Sequence, residues 1–205
     1  MSILLHRFKQ LAYTMALNKN MAKAKFSTQK RIVWMDLEMT GLDVDKDKIL
    51  EIACVVTESD LKIVDTCSTL VIHQPDEVLS NMNEWCMVNH ARTGLIDDCK
   101  KSTLTLDQAQ NILIDFLKKN VPQKECPLAG NSIYMDRLFL MKHMPVVNEY
   151  LHYRIIDVSS IKELCKRWNN NFFKKAPKKE LLHRAQEDIL ESIKELQYYK
   201  TLFHH

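Results

Sequence analysis

The sequence predicts a mixed α/β fold, and two observations support this. Three segments enriched in Val and Ile, residues 31–38, 49–57 and 61–72, stand close together early in the chain. Helical patterns then alternate with two short apolar segments, 126–130 and 155–158. We therefore expect one central mixed sheet flanked by helices, which starts with an antiparallel three-strand meander and continues with strands that alternate with helices.

Helices are predicted where apolar residues repeat at helical spacing or where a capping residue precedes them. The segment after Pro75, residues 76–91, looks helical. Thr105 and Gln108 are spaced as a capping box in front of apolar residues at i, i+3, i+4, i+7 and i+8 from Ala109. Further helices are expected from Asn131–Ser132 to Met141, from Ser159 or Ser160 to Trp168 and, after a break at Pro177, from about Arg184 to Leu202.

Length and composition fit one globular domain with a short tail. The chain has 205 residues, of which 46% are hydrophobic, and only three Gly and five Pro, so long linkers are not expected. No apolar run reaches the roughly 18 residues that a membrane span requires. The six cysteines are scattered without a C-x-x-C pair, which disfavours a zinc cluster and indicates free buried thiols.

Positive charge is concentrated at the N-terminus. The formal net charge is +3, but residues 1–30 hold six Lys and Arg and no acid, so the remainder carries −3. A protein that grips long nucleic acid neutralises many phosphates with Lys and Arg. The folded part is therefore expected to touch few phosphates, or to do so through metal ions.

Residues 1–30 are interpreted as a mitochondrial transit peptide, and residues 31–205 as the folded domain. The leader is basic, lacks acids and carries apolar residues at roughly helical spacing. A disordered basic tail on a cytosolic protein is the alternative, and a start at Met21 would give a cytoplasmic form.

Asp36 and Glu38 are the first candidate ligands. They stand two apart at the end of the first predicted strand, so both side chains point to one face. Burying neighbouring carboxylates is costly unless a cation lies between them, and oxygen ligands favour Mg²⁺ or Mn²⁺ over zinc. Because this spacing is frequent by chance, a structural or solvated role is the alternative for the pair alone.

Three more candidates lie later in the chain. Asp136 stands early in a predicted helix, where an acid also favours the helix dipole. His183 and Asp188 are five apart, which fits a histidine just before the final helix and an aspartate in its second turn. Glu187 is a rival acid to Asp188, and a solvated role is the alternative for His183.

In this order, the candidates resemble the DEDD exonucleases of the histidine subtype. Within that superfamily the chain is similar to the oligoribonuclease family, small RNA exonucleases of bacteria and mitochondria, over about residues 30–202. The motifs that carry the resemblance are WMDLEMTGLD (34–43), LAGNS (128–132), LHYRIIDVSS (151–160), KELCKRW (162–168), APKK (176–179) and HRAQEDI (183–189).

The resemblance implies a ribonuclease-H-like exonuclease fold and 3′→5′ hydrolysis of very short RNA, especially dinucleotides, to 5′-mononucleotides. Two Mg²⁺ or Mn²⁺ ions would be held by Asp36, Glu38, Asp136 and Asp188. His183 would act as general base.

It also implies a set of substrate contacts. Leu42 would be a wedge between the two terminal bases, and Trp85 and His90 would line the base site. Ser132 would make a polar contact near the metals. A cap over the 5′ phosphate would select for dinucleotides, with Tyr153 contributed by the other subunit of a homodimer. The residues of this cap are Tyr153, Arg154, Ser159 and Lys162.

The chain departs from the family pattern at Leu182, at Gln186–Glu187 and at Tyr134–Met135, which bears on rate and substrate preference. The alternative functions are a DNA exonuclease of the same superfamily, a non-catalytic RNA-binding dimer and a two-carboxylate glycosidase. Metal-dependent cleavage of a dinucleotide discriminates among them.

Overall fold

The centre of the molecule is a five-stranded mixed sheet. The computed structural model describes residues 28–178 and 183–203. The strands, in the order β3-β2-β1-β4-β5, are β1 (Ile32–Met39), β2 (Ile49–Thr57), β3 (Ile63–Val71), β4 (Leu128–Gly130) and β5 (Ile155–Asp157). The first three pair antiparallel, and β1 with β4 and β4 with β5 pair parallel. This confirms the predicted mixed α/β fold with its initial meander.

Helices cover both faces of this sheet. They are α1 (Asp76–Ser80), α2 (Glu84–Arg92), α3 (Leu95–Lys101), α4 (Leu106–Asn120), α5 (Ile133–His143), α6 (Pro145–Tyr150), α7 (Val158–Trp168), α8 (Asn170–Phe173) and α9 (Ala185–Lys200), with a 3₁₀ turn at Thr201–Phe203. Among the described residues, none of the helices is long and apolar enough to cross a membrane. Most of the predicted leader, residues 1–27, lies outside the described residues. Leu182, where the sequence departs from the family pattern, also lies outside them.

The prediction of one continuous helix over residues 76–91 is wrong. The segment is divided into α1 and α2, because the Asn83 side chain accepts a hydrogen bond from the Cys86 N–H and starts a new helix. Gly94, with a φ of 77°, then separates α2 from α3, a helix that the periodicity did not reveal. The connections between these helices are short, and the apolar pattern continues across them, so the pattern did not indicate where each helix ends.

The structure confirms one of the predicted helix caps and corrects two others. Thr105 and Gln108 form the capping box of α4, as predicted. Ser132 does not cap α5 through its side chain: it has a φ of 51° and no side-chain cap bond. Asp157, rather than Ser159 or Ser160, caps α7 by accepting from the Ser159 N–H.

Alternation along β1 divides the core into two apolar layers. Val33, Met35 and Leu37 pack with α4, α5 and α6 on one face of the sheet. Ile32 and Trp34 pack on the other face with α7 and α9. All six cysteines are buried free thiols, as the composition predicted.

Candidate active site

Asp36 and Glu38 continue the row of Ile32 and Trp34 along β1, so the two-residue period carries both carboxylates to the face covered by α9. Asp188 lies in the first turn of α9, not in the second as the sequence suggested, because the helix begins at Ala185. One ligand oxygen from each of Asp36, Glu38 and Asp188 lies within 4.8 Å of the others. Two remote segments of the chain therefore converge on one acidic cluster.

Asp136 is tied to the same strand from a third segment. It lies in the first turn of α5 and is only 6% exposed. Its Oδ1 accepts a hydrogen bond of 2.9 Å from the main-chain N–H of Leu37, the residue between Asp36 and Glu38. Because β4 ends at Gly130, no strand of the described residues lies beside this part of β1 on that side, and the Asp136 carboxylate takes the place of a strand partner.

The electrostatics of the cluster favour a bound cation. Burial raises the pKa of the Glu38 carboxyl to about 8, and the nearby Asp188, Glu51 and Asp136 carboxylates add to this shift. Burial likewise raises the pKa of Asp136 to about 7, although the Leu37 N–H opposes the change. Carboxyl groups with raised pKa values ionise more readily when a positive charge lies nearby. Their donor atom is oxygen, which hard divalent cations prefer, so the donor set suits such a cation.

His90 closes one side of the cluster. It is 1% exposed, and its Nε2 lies 2.9 Å from the Met39 carbonyl oxygen, which can only accept, so Nε2 carries the proton. Its Nδ1 lies 3.8 Å from Glu38 Oε2. Burial lowers the pKa of His90, so the ring is neutral at neutral pH and adds no positive charge beside Glu38.

A cavity of about 430 Å³ opens beside the acidic cluster. Glu38 and His90 line its inner part, and Leu42 and Trp85 line its mouth, where their side chains are 66% and 58% exposed. The His183 ring lies 5.4 Å from the Trp85 ring in a T-shaped contact. His183 has a φ of 54° and immediately precedes Arg184, the residue that flanks α9, so a strained backbone turn directs its side chain.

Ser132 and Ser159 come together beyond the end of β4. The Ser132 N–H donates to Ser159 Oγ at 3.0 Å and to Asp157 Oδ1 at 3.1 Å, and the two hydroxyls are 3.3 Å apart. The left-handed backbone at Ser132 makes this possible, since its N–H points to α7. The serine pair joins the ends of β4 and β5 in a polar corner.

The remaining predicted substrate residues do not join that corner. Tyr153 is 73% exposed and stacks with His152 and the guanidinium of Arg154 at the edge strand β5. The Lys162 ammonium pairs with Glu195 of α9 at 3.4 Å, and no contact with Ser132 or Ser159 is found in the described part of the chain. Lys162 instead lines a separate cavity with Tyr199.

Comparison with known proteins identifies the family. The family model described as "Exonuclease" matches residues 33–196. A probable oligoribonuclease of Drosophila melanogaster is 57% identical over 83% of this chain and 81% of its own length. A mitochondrial oligoribonuclease of Mus musculus is 52% identical over 85% of this chain and 74% of its own length.

This chain belongs to the oligoribonuclease family of exonucleases. Its fold is also similar to a solved structure, the zinc-bound Escherichia coli exonuclease I in complex with single-stranded DNA, with a TM-score of 0.67 and 15% identity. The match covers 85% of this chain and 41% of that one, so the chain spans less than half of the length of the solved structure. At this identity the similarity extends to the fold alone.

Sequence reasoning missed two charged residues that border the site in this oligoribonuclease-family chain. Glu51 is fully buried on β2, in register with Glu38 on β1. Arg184 binds it directly, with Nη2 to Oε2 at 2.7 Å. A single acid inside the otherwise apolar stretch of residues 49–56 was the available signal, because a buried carboxylate requires a partner.

Proposed function

We propose that this chain is a metal-dependent 3′→5′ exoribonuclease that degrades very short oligoribonucleotides, dinucleotides above all, to 5′-mononucleotides. The observation that carries the proposal is the convergence of Asp36, Glu38 and Asp188 within 4.8 Å beside a cavity with an aromatic mouth. The names of the curated relatives, at 52% and 57% identity, agree with this activity.

The cofactor we propose is a pair of Mg²⁺ or Mn²⁺ ions. Asp36, Glu38 and Asp188 would hold one ion, and Asp136, which is fixed to the strand between the first two, would help to hold the second. Bound divalent ions lower the pKa of water and stabilise the charge that develops on a scissile phosphate. The protein would determine where the ions bind, because β1, α5 and α9 carry the four carboxylates.

His183 is the proposed general base. An imidazole can take a proton near neutral pH, and this one lies just before α9 in contact with Trp85, which lines the cavity. Trp85 and Leu42 are proposed to hold the terminal bases, Trp85 by stacking and Leu42 as a wedge between them, since both present exposed apolar surface to the cavity. His90, buried and neutral, would position Glu38 at the inner end.

Selection of short substrates is proposed to come from a second subunit. Tyr134, Leu138 and Met141 recur at i, i+4 and i+7 on α5 as an exposed apolar row, and Ile155 is exposed on the edge strand β5. Such a row is typical of a subunit interface. A homodimer that covers it would bring Tyr153 of one subunit over the site of the other.

The closed end of that site would bind the 5′ phosphate. Ser132 and Ser159 already form a hydroxyl pair, and Arg154, which lies against Tyr153 outside this corner, would supply a guanidinium that suits a phosphate. A phosphate held there leaves no path for a longer chain, which agrees with the net charge of −3 on residues 31–205. Lys162 is left out of this proposal because it pairs with Glu195.

Turnover of 5′-labelled RNA tests the function. The protein should convert a ribodinucleotide to mononucleotides in Mg²⁺ or Mn²⁺, cleave an oligonucleotide of roughly seven residues far more slowly, and lose activity in EDTA. Asp36→Asn is the inactive control. Equal rates on both lengths would refute the selection of dinucleotides. Faster cleavage of a deoxydinucleotide than of the ribodinucleotide would indicate a DNA exonuclease. Binding without cleavage would indicate a non-catalytic RNA-binding dimer.

Mixing of subunits tests the dimer. Asp36→Asn and Tyr153→Ala homodimers should both be inactive, whereas a mixture should regain activity, because one hybrid site combines an intact cluster with an intact tyrosine. A mixture that stays inactive, or a Tyr153→Ala protein with full activity, would exclude a contribution of Tyr153 in trans.

A mitochondrial location is also proposed. The mouse relative is named as mitochondrial, and residues 1–30 have the composition of a transit peptide. Imaging of a C-terminal fusion with and without residues 1–20 tests this, since a protein that starts at Met21 should be found in the cytoplasm. Mitochondrial import of the shortened protein would contradict the proposal.

A further inference from the structure

Arg184, the residue after the proposed base, joins three elements through its guanidinium. On β2, its Nε and Nη2 donate to Glu51 Oε2 at 3.0 and 2.7 Å. On α3, its Nη1 donates to Asp98 Oδ2 at 3.1 Å. The same Nη1 lies 3.4 Å from the Thr93 carbonyl oxygen that follows α2. The planar fork of arginine therefore fixes this position in several directions at once.

Glu51 is the anchor on the other side. It is fully buried, and its Oε1 also accepts a hydrogen bond of 2.9 Å from the N–H of Ala185, the first residue of α9. One carboxylate thus binds both the side chain that flanks the helix and the first helical amide. A negative charge at this end of a helix is also favourable for the helix dipole.

Glu51 and Arg184 are each directly connected to residues of the proposed active site. Glu51 is in register with Glu38 on the neighbouring strand. Arg184 directly follows His183, and its carbonyl oxygen accepts from the Asp188 N–H at 3.1 Å. A displacement of Arg184 would therefore move the imidazole and the Asp188 carboxylate together, relative to Asp36 and Glu38.

We propose that Glu51 and Arg184 are positioning residues for the nuclease reaction, an inference that rests on the proposed function. Their ion pair fixes the start of α9 against β2 and thereby holds His183 and Asp188 at set positions relative to the two carboxylates of β1. Neither residue touches the substrate. Misplacement of catalytic groups by about 1 Å can cost on the order of 10²-fold in rate, so the pair affects turnover rather than binding.

Two conservative variants isolate the effect. Arg184→Lys keeps a positive charge for buried Glu51 but cannot bridge Glu51, Asp98 and Thr93 together. Glu51→Gln keeps an acceptor for the Ala185 N–H but removes the charge that orients the guanidinium. We expect kcat on a ribodinucleotide to fall by about 10- to 100-fold in each, with KM within about two-fold of the wild-type value.

Arg31 offers a matched control in the same chain. Its Nε and Nη2 donate to Glu58 and its Nη1 donates to the Asn120 carbonyl oxygen, so it is a partly buried arginine with the same kind of contacts. It precedes β1 at the end of the sheet opposite to the acidic cluster. Arg31→Lys should lower Tm, since it removes the same kind of contacts, and leave kcat unchanged.

The contact of His183 with Trp85 gives a readout independent of activity. Trp85 fluorescence, obtained as the difference from a Trp85→Phe background, should change in Arg184→Lys and Glu51→Gln but not in Arg31→Lys. An unchanged kcat in Arg184→Lys, or a loss of kcat in Arg31→Lys in proportion to its loss of Tm, would overturn the positioning role. If wild-type protein cleaves no RNA, the nuclease function fails, and an altered Trp85 signal still supports the positional role of the pair.

Discussion

The main-chain N–H of Leu37 donates to the Asp136 carboxylate at 2.9 Å. This bond attaches α5 to β1 between Asp36 and Glu38, so the Asp136 carboxylate is positioned by the strand that carries those two residues. Since the amide oxygen of an asparagine can accept this bond in place of the carboxylate oxygen, the geometry of the contact can be separated from the charge of the side chain.

Asp136→Asn is therefore expected to keep the fold and lose the activity. The amide oxygen can still accept from Leu37, whereas the charge for a second cation is gone, so kcat should fall by roughly 10²-fold or more. Without metal at alkaline pH, the free energy of unfolding should rise by on the order of 1–3 kcal/mol, because a buried charge has been removed. Dinucleotide kinetics and urea unfolding in EDTA measure both. Full activity would show that Asp136 holds no ion.

The raised pKa values of Glu38 and Asp136 predict how stability depends on pH in the absence of metal. Both carboxyls hold their protons in the folded state up to pH values of about 8 and about 7, against ordinary values of 4.5 and 3.8. Between those limits the folded protein binds more protons than the unfolded chain. The free energy of unfolding should therefore fall as pH rises, by up to about 1.4 kcal/mol per pH unit for each group.

Mg²⁺ should oppose that loss, because a cation binds the ionised carboxylates of the folded state. Urea unfolding at about pH 5.5 and about pH 8, in EDTA and in saturating MgCl₂, measures the effect. Glu38→Gln is the matched control and should reduce the dependence in EDTA to the part that Asp136 contributes. Metal-free wild-type protein that gains stability relative to Glu38→Gln as pH rises would contradict the prediction.

Local patterns predicted the sheet and part of the site, and long-range packing decided the rest. The alternation of β1 placed Asp36 and Glu38 on one face, which needs no knowledge of other segments. The choice between Glu187 and Asp188 required the first residue of α9, and the structure places Asp188 in the acidic cluster. Lys162 shares a helix with Ser159, but no local pattern indicated that Glu195 of α9 would bind it.

Glu51 shows why buried ion pairs escape sequence reasoning. It stands in an apolar strand 133 residues before Arg184, and only the fold brings the two together. The breaks between α1, α2 and α3 were missed for a different reason. Asn83 and Gly94 separate these helices through local backbone geometry, while the apolar side chains of Leu79, Cys86 and Leu95 belong to one buried cluster that continues across the breaks.

Trp85→Ala is expected to weaken substrate binding without unfolding the protein. The side chain is 58% exposed, so its removal leaves the core intact, while loss of base stacking costs about 1–3 kcal/mol. KM for a ribodinucleotide should rise by roughly 10-fold or more, with a small change in Tm. Trp85→Phe, which keeps an aromatic face, should lie close to wild type. Equal KM values for Trp85→Ala and wild type would exclude a base-stacking role.

Gly130→Ala should disturb stability and catalysis together, because it lies where β4 meets β1. An added Cβ would lie 2.9 Å from the Met35 carbonyl oxygen, one residue before Asp36, and 2.9 Å from Ile133 Cδ1. Since the backbone of β1 must shift to relieve this contact, we expect a loss of about 1–3 kcal/mol in the free energy of unfolding and a several-fold lower kcat. Thr105→Ala, which removes the cap of α4 at a cost of about 1 kcal/mol, should lower stability alone. A Gly130→Ala protein with wild-type kcat would show that Asp36 tolerates displacement of its strand.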